Sequence, residues 1–370
     1  MFRNEELTLP QRPPPPHPTD GPDRNPRALT SGPPFGKFLQ AIHVTSSAPP
    51  AVMTLSRREF VAQSSSCAAH LALGAAFASP LTRALWGHNH IGQVVAREPF
   101  GSLEKVADGI WALVSTPLSG DRTTTCNGGI VAGRNAVLAI EGFNTPAGAA
   151  WMAGKARELT GKWPTHVALT HYHADHTTGV AAYLTAADHP AVRATLSTRA
   201  QVLEKNPADP DRAAALKDVT MIDGSAPSTL ELGGRTVKLV PRAGHTTSDV
   251  TIELDSPDLI FGGDLVWNAM VPNYVDAMPT LLRKTVAAVR RSGDTTIYVP
   301  GHGALARAAD FDRYVAMLDE IEKGARAAHA AGKTPAEAGA AYALPASLAD
   351  FALFNKVFFE RAFAAWYKEI

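Results

Sequence analysis

Short apolar runs, broken every few residues by glycine or a polar turn, fill the chain from about residue 101. "GIWALVS" (109–115), "NGGIVAG" (127–133) and "AVLAIEG" (136–142) have the length and composition of β-strands. The period then changes. "TPAGAAWMAGKARELTG" opens on a threonine cap with proline in the first turn and stops on Gly161, which predicts a helix. "HVALT" (166–170) reads as a buried strand leading straight to His171, and a helix is expected from near His176 through "TGVAAYLTAA". The order then repeats. "TLELGGRTVKLVP" (229–241) predicts a hairpin turning at Gly233 and Gly234, because tight hairpin turns need positive φ. "DVTIELD" (249–255), "LIFGGD" (259–264) and "TTIYVPG" (295–301) are further strands, with a helix over "TLLRKTVAAVRRSG" (280–293) between the last two. From about Ala304 the pattern is helical. The closing "FALFNKVFFERAFAAWYKEI" carries aromatics on one helical face, suited to core packing or to a contact in a homodimer. Two β-then-α halves predict an α/β fold of two sheets face to face with helices outside.

The first hundred residues follow none of these periods. Residues 1–52 are proline-rich and charged, with little to bury, and read as disordered or as lying before the true start. "MTLSRREFVAQSSSCAAHLALGAAFASPL" follows. Arg57 and Arg58 precede a weakly apolar stretch and an A-x-A site at Ala76 to Ala78. That order matches a twin-arginine export signal, a receptor-read address rather than an anchor. The expected organisation is a start at Met53, a signal over 53–78, a linker over 79–100, a domain over 101–305 and a helical segment over 306–370. The expected location is the periplasm or the exterior, reached through the twin-arginine export machinery.

Composition removes several classes. Lys plus Arg equals Asp plus Glu at 35 each, so no nucleic-acid partner is suggested. No apolar run approaches the roughly 18 residues a membrane span needs. The two cysteines, Cys67 in the signal and Cys126 at a strand edge, exclude a disulfide framework and a thiolate zinc knuckle.

The chemistry concentrates at strand ends. "LTHYHADHTTG" places His171 and His173 on alternate positions, so on an extended tip both imidazoles face one way. Asp175 and His176 follow where the chain turns and can aim at a second point nearby. Zinc takes three or four N/O ligands at about 2.0–2.2 Å, so this segment starts two sites and completes neither. His245 in "PRAGHTTSD", Asp264 in "LIFGGD" and His302 in "PGHG" recur in the same setting, each just past an apolar run with a glycine nearby. His166 sits at a strand start, and His88 and His90 in "WGHNH" are expected to be solvated rather than ligands.

In these segments the sequence resembles the metallo-β-lactamase superfamily. "HYHADH" matches its H-x-H-x-D-H motif, "GHTTSD" its GHT loop, "FGGD" its bridging aspartate and "PGHG" its last ligand, in order over roughly residues 100–305. The resemblance implies an αββα sandwich with a dinuclear site on one edge. His171, His173 and His245 would hold one metal, Asp175, His176 and His302 the other, and Asp264 would bridge them. Glu141 stands where an aspartate often closes the early strand, and is expected to hydrogen-bond a ligand from behind. No cysteine stands among the ligands, and Leu265 rather than serine follows Asp264, which points toward glyoxalase II-like or lactonase-like members.

The implied function is a zinc-dependent hydrolase of a small molecule. A hydroxide between two zinc ions would cleave an ester, thioester, lactone or β-lactam, with Asp175 orienting it and moving its proton. One alternative is a mononuclear-iron persulfide dioxygenase-like enzyme using His171, His245 and Asp264. Another is a non-catalytic exported metal-binding protein. Trp267 and Tyr274, just past Asp264, are equally suited to lining a substrate pocket or to packing their loop.

Overall fold

The computed structural model describes residues 91–185, 189–205, 209–217 and 219–370. The Met53 start, the Arg57–Arg58 signal, Cys67, His88 and His90 lie outside the described residues.

The first sheet has eight strands in chain order: β1 (Gln93–Glu98), β2 (Gly101–Ala107), β3 (Ile110–Ser115), β4 (Gly128–Ala132), β5 (Val137–Ile140), β6 (His166–Ala168), β7 (Ala191–Thr195) and β8 (Thr220–Ile222). It runs antiparallel to β5 and parallel from β5 to β8. Between these strands lie α1 (Pro146–Thr160), α2 (Ala174–Thr177), α3 (Leu196–Lys205) and α4 (Pro210–Ala215). The second sheet has the order β13-β12-β11-β10-β9, built from β9 (Ser228–Glu231), β10 (Thr236–Pro241), β11 (Val250–Leu254), β12 (Leu259–Asn268) and β13 (Ile297–Gly303). Only its β12–β13 pair is parallel. Helices α5 (Pro279–Val289), α6 (Ala308–Ala330), α7 (Pro335–Ala341) and α8 (Val357–Tyr367) complete the described chain.

Three apolar clusters make this an αββα sandwich. The middle one joins Ile110, Val131, Leu138 and Ile140 of the first sheet to Val237, Ile252, Phe261 and Val299 of the second. Met152, Ala153 and Ala156 of α1 cover the outer face of the first sheet. Leu282 and Val286 of α5, Phe311 and Leu318 of α6, and Phe363 and Trp366 of α8 cover the second. The aromatic stripe of the last helix is therefore spent on the chain's own core. Among the described residues, no helix is long and apolar enough to cross a membrane.

Local rules explain most element ends. Thr145 caps α1 by accepting from Gly148 N, and Gly161 stops it in the left-handed region at φ 74°. Gly233 and Gly234, at φ 85° and 81°, turn the β9–β10 hairpin.

Three expectations fail. The 79–100 linker ends in a strand, β1, whose half-exposed polar pattern is that of a sheet edge rather than a core run. The helix expected from His176 breaks after Thr177 into a separate 3-10 turn, Val180–Thr185. The segment after β5 takes over its backbone there: Gly142 N donates to His176 O at 2.7 Å, and Gly179 N donates to Phe143 O at 3.1 Å. The terminal helix begins at Val357, because Ala352 is held extended between Ala269 O (2.8 Å) and Val271 N (2.9 Å).

Candidate metal centre

All seven residues singled out at strand ends meet on one edge of the sandwich. His171 and His173 leave β6, and Asp175 and His176 open α2. His245 follows β10, while Asp264 and His302 lie inside β12 and β13 rather than beyond them. The two strands stay paired past these residues, with Trp267 opposite His302, because the register slips on either side of Gly263. The slip lets Asp264 turn into the site without ending the ladder.

Two glycines allow the approach. A Cβ on Gly301 would lie 2.0 Å from Asp264 Oδ1. Gly263 has φ 51°, and a Cβ there would lie 2.7 Å from Thr170 Oγ1.

The seven side chains fall into two groups whose ligand atoms lie within 4.8 Å of one another: His171, His173, His245 and Asp264, then Asp175, His176 and His302. The Asp264 carboxylate divides between them. Its Oδ2 is 3.3 Å from His245 Nε2 and 4.0 Å from His171 Nε2. Its Oδ1 is 3.1 Å from His176 Nε2 and 3.3 Å from His302 Nε2. Asp175 Oδ2 sits 3.3 Å from His302 Nε2 and 3.7 Å from His176 Nε2.

The outward-facing atoms fix which nitrogen is free. Thr170 Oγ1 donates to Glu141 Oε1 at 2.5 Å, so His171 Nδ1, 3.0 Å from that hydroxyl, carries the proton and Nε2 is bare. His302 Nδ1 donates to Thr125 O at 3.1 Å. His176 Nδ1 lies 3.0 Å from Glu141 Oε1, and His173 Nε2 lies 3.3 Å from Asp276 Oδ2. His171 and His173 thus turn a lone-pair nitrogen inward, and His176 and His302 turn inward a nitrogen that can bind a cation once its proton is lost, the arrangement metal-binding histidines need. His245 is placed through its backbone. Its N–H donates at 2.9 Å to Asp249 Oδ2, which also accepts from Thr246 N at 3.0 Å. Burial pushes the Asp249 carboxyl up to about 7 against these donors.

Donor chemistry and burial both fit metal ions. Asp264 Oδ1 and His176 Nε2 are buried with no hydrogen-bond partner among the described residues. An orphaned pair of this kind is costly unless a further group completes it. His171 Nε2 and His173 Nδ1 are 3.0 Å apart, and His245 Nε2 and His173 Nδ1 are 3.1 Å apart, so three ring nitrogens converge on one point.

Protonation differs across the site. Burial holds His171 well below its ordinary value and pushes His245 down to about 3. Burial acts the same way on His302 and His176, but neighbouring acidic groups outweigh it. Asp264 and Asp175 push His302 up to about 9, and Cys126, Glu141, Asp264 and Asp175 hold His176 well above its ordinary value. Burial raises Asp175, yet the facing His176 and His302 hold it below the usual carboxylate range.

Three supporting groups were not singled out from sequence. Asp276, backing His173, also accepts from Tyr172 OH and, at 2.9 Å, from Lys205 Nζ. Thr125, at φ 56°, offers the carbonyl that orients His302. Asp249 pins the GHT loop. Only Asp249, inside the quoted "GHTTSD", had a visible signal.

A cavity of about 460 Å³ opens over Asp175, Asp264 and His302. Trp267 lines it, stacked on His302 with ring centroids 4.1 Å apart and donating from Nε1 to Asp264 O at 3.0 Å. Tyr274 does not line it. Its ring is 2% exposed and packs in the core with Leu282 and Tyr314, so the loop-packing alternative holds for this residue. Cys126 is buried, donates to Asp175 O at 3.0 Å, and has its thiol pushed up to about 12 by burial.

Residues 142–302 match the Metallo-beta-lactamase superfamily. A hydroxyacylglutathione hydrolase from Acidiphilium cryptum (strain JF-5) is 29% identical over 214 residues, 56% of this chain and 76% of that protein. Among solved structures, the sec-alkylsulfatase Pisa1 from Pseudomonas sp. aligns with a TM-score of 0.56 at 15% identity, over 73% of this chain and 50% of that one. A metallo-β-lactamase from Erythrobacter litoralis aligns with a TM-score of 0.49 at 21% identity, over 61% of this chain and 99% of that one. The sandwich and its histidine–carboxylate edge define a metal-dependent hydrolase. Over residues 142–302 the sequence match is to the metallo-β-lactamase superfamily.

Proposed function

We propose that this protein is a dinuclear zinc hydrolase that cleaves an acyl bond, an ester, thioester, lactone or β-lactam, in a small molecule. The observation that carries the reading is the Asp264 carboxylate, which gives one oxygen to each ligand group. His171, His173 and His245 would hold one cation, and Asp175, His176 and His302 the other. Two cations bound there supply a water ionised near neutral pH and an electrophile for the acyl oxygen.

The chain's own groups account for the rest. Asp175, its side chain 30% exposed beneath the cavity, stays ionised and can accept the attacking water's proton at the carboxylate oxygen not given to the cation and hand it to the leaving group. Glu141, Thr170, Thr125 and Asp276 keep the imidazoles turned inward. Trp267 covers one face of His302 and keeps water from it. The name of the Acidiphilium relative favours acyl substrates within the superfamily. Export through the twin-arginine pathway belongs to the same proposal and is supported by Arg57 and Arg58 in sequence alone.

The test is metal content by mass spectrometry on the chain expressed from Met53 and on His171→Ala, paired with a panel of ester, thioester, lactone and β-lactam substrates. About two zinc ions per chain, with turnover of one acyl class, is the expected result. One iron per chain would replace the hydrolase with sulfur oxidation. Bound zinc without any turnover would leave a metal-binding protein.

A further inference from the structure

Two arginines stand over the cavity without a carboxylate partner among the described residues. Apart from the proposed ligands, Arg122 and Arg361 are the only charged side chains lining it among the described residues. Elsewhere the described arginines are commonly committed. Arg242 pairs with Glu253, Arg290 with Asp312, Arg291 with Asp258 and Arg313 with Asp350. Arg361 makes one hydrogen bond, from Nη1 to Asn273 Oδ1 at 3.0 Å, and the Arg122 side chain makes none among the described residues. A guanidinium offers five N–H donors in a fork that fits a carboxylate, so the cavity holds unused capacity for an anion.

Both cations are held in place. Arg122 lies over the Phe354 ring at 5.2 Å and Arg361 over Phe358 at 5.8 Å. The Arg122 backbone is fixed by Asn144 Nδ2 at 2.7 Å, and the adjacent Thr123 carbonyl by Thr145 Oγ1 at 2.9 Å. An aromatic wall links these cations to the metal site. Trp267 stacks on His302, Phe358 stands edge-on to Trp267 at 6.5 Å, and Phe354 stacks on Phe358 at 6.1 Å. A substrate reaching from the site to the arginines therefore crosses an apolar strip.

Resting on the hydrolase reading above, we propose that Arg122 and Arg361 are specificity determinants for substrates bearing a carboxylate, separated from the scissile acyl group by an apolar or aromatic spacer. The carboxylate takes the guanidinium donors while the spacer lies along Trp267, Phe358 and Phe354. Neutral acyl compounds of the same size leave those donors to water.

Binding tests this without turnover. Zinc-loaded full chain is titrated calorimetrically with 4-(mercaptomethyl)benzoate and with 4-(mercaptomethyl)benzamide, which share thiol and ring and differ in charge. The carboxylate is expected to bind about ten-fold more tightly, as fits a charge-assisted contact. Arg122→Gln and Arg361→Gln should each erode that preference, and the double variant should abolish it with the benzamide affinity unchanged. Arg122 is exposed on its loop, so its variant does not depend on refolding a core. Equal affinities in the native protein, or a preference surviving in the double variant, would overturn the inference while thiol binding left the hydrolase reading intact. Failure to take up zinc or to bind either thiol would instead remove that reading and this one with it.

Discussion

The two halves of the site use the same imidazoles in opposite electrostatic states. Around His171, His173 and His245 the only carboxylate among the ligands is Asp264, and burial wins: His171 and His245 are held neutral. Around His176 and His302 stand Asp175, Asp264 and, behind, Glu141, and the carboxylates win: both imidazoles are held protonated. Without metal, one half is a dry nitrogen cage and the other an imidazolium–carboxylate cluster. The difference teaches that spacing in the sequence selects ligands, while the number of carboxylates facing each half decides how it must be emptied of protons before it fills.

The sharpest way to break the contrast is to remove what both halves share. Asp264→Ala should take metal content from about two ions per chain to below one, with activity lost, read by mass spectrometry of the purified protein. Gly301→Ala should come next. Its Cβ would meet Asp264 Oδ1 at 2.0 Å, so the carboxylate must leave its place between the two ligand groups. We expect a loss of about 1–3 kcal/mol in denaturant unfolding, as for other overpacked sites, together with reduced metal content.

Asp276→Asn attacks one half alone. It removes the anion that orients His173 and should weaken the three-histidine site about 10–100-fold, leaving the other half's affinity unchanged in competition with a chromophoric chelator.

The pH response should sharpen the comparison further. His302 must lose its proton to bind a cation, and its pKa is raised from 6.5 to about 9. Apparent affinity of the carboxylate-rich half should therefore climb as pH rises from about 6.5 to 9, and binding at neutral pH should release protons. In the metal-free protein the stability from its ion pairs is fully present below pH 6.5 and is lost as pH rises through about 9. Titrations in two buffers of different ionisation enthalpy would show this release, and equal heats would refute it. The smallest effect belongs to Tyr274→Phe. It should leave KM unchanged within error, since the ring packs in the core and not in the cavity.

What could be read from sequence was whatever lies beside an apolar run. His171, His245, Asp264 and His302 each follow such a run, and a strand end is where backbone geometry concentrates side chains on one edge. Helix α1 was legible for a similar reason, since Thr145 and Gly161 act through local backbone bonds. Asp276 was not. It belongs to the site only because β12 and the loop after it return next to β6, placing it against Tyr172, 104 residues away in the chain. The broken helix after His176 failed for the same cause, its His176 carbonyl and Gly179 N–H being taken by a segment earlier in the sequence. Trp267, near the end of β12, and Tyr274, in the loop after it, look alike in sequence, seven residues apart. Only the packing of α5 and α6 separates them.

The stacking of Trp267 on His302 has a practical optical consequence. Among the described residues it is the only tryptophan stacked on one of the seven candidate ligands. A protonated imidazole quenches indole emission, so filling the carboxylate-rich half, which displaces that proton, should brighten the protein's own light. Site loading could then be followed in real time, without dye or substrate, by the change in emission that Trp267→Phe removes.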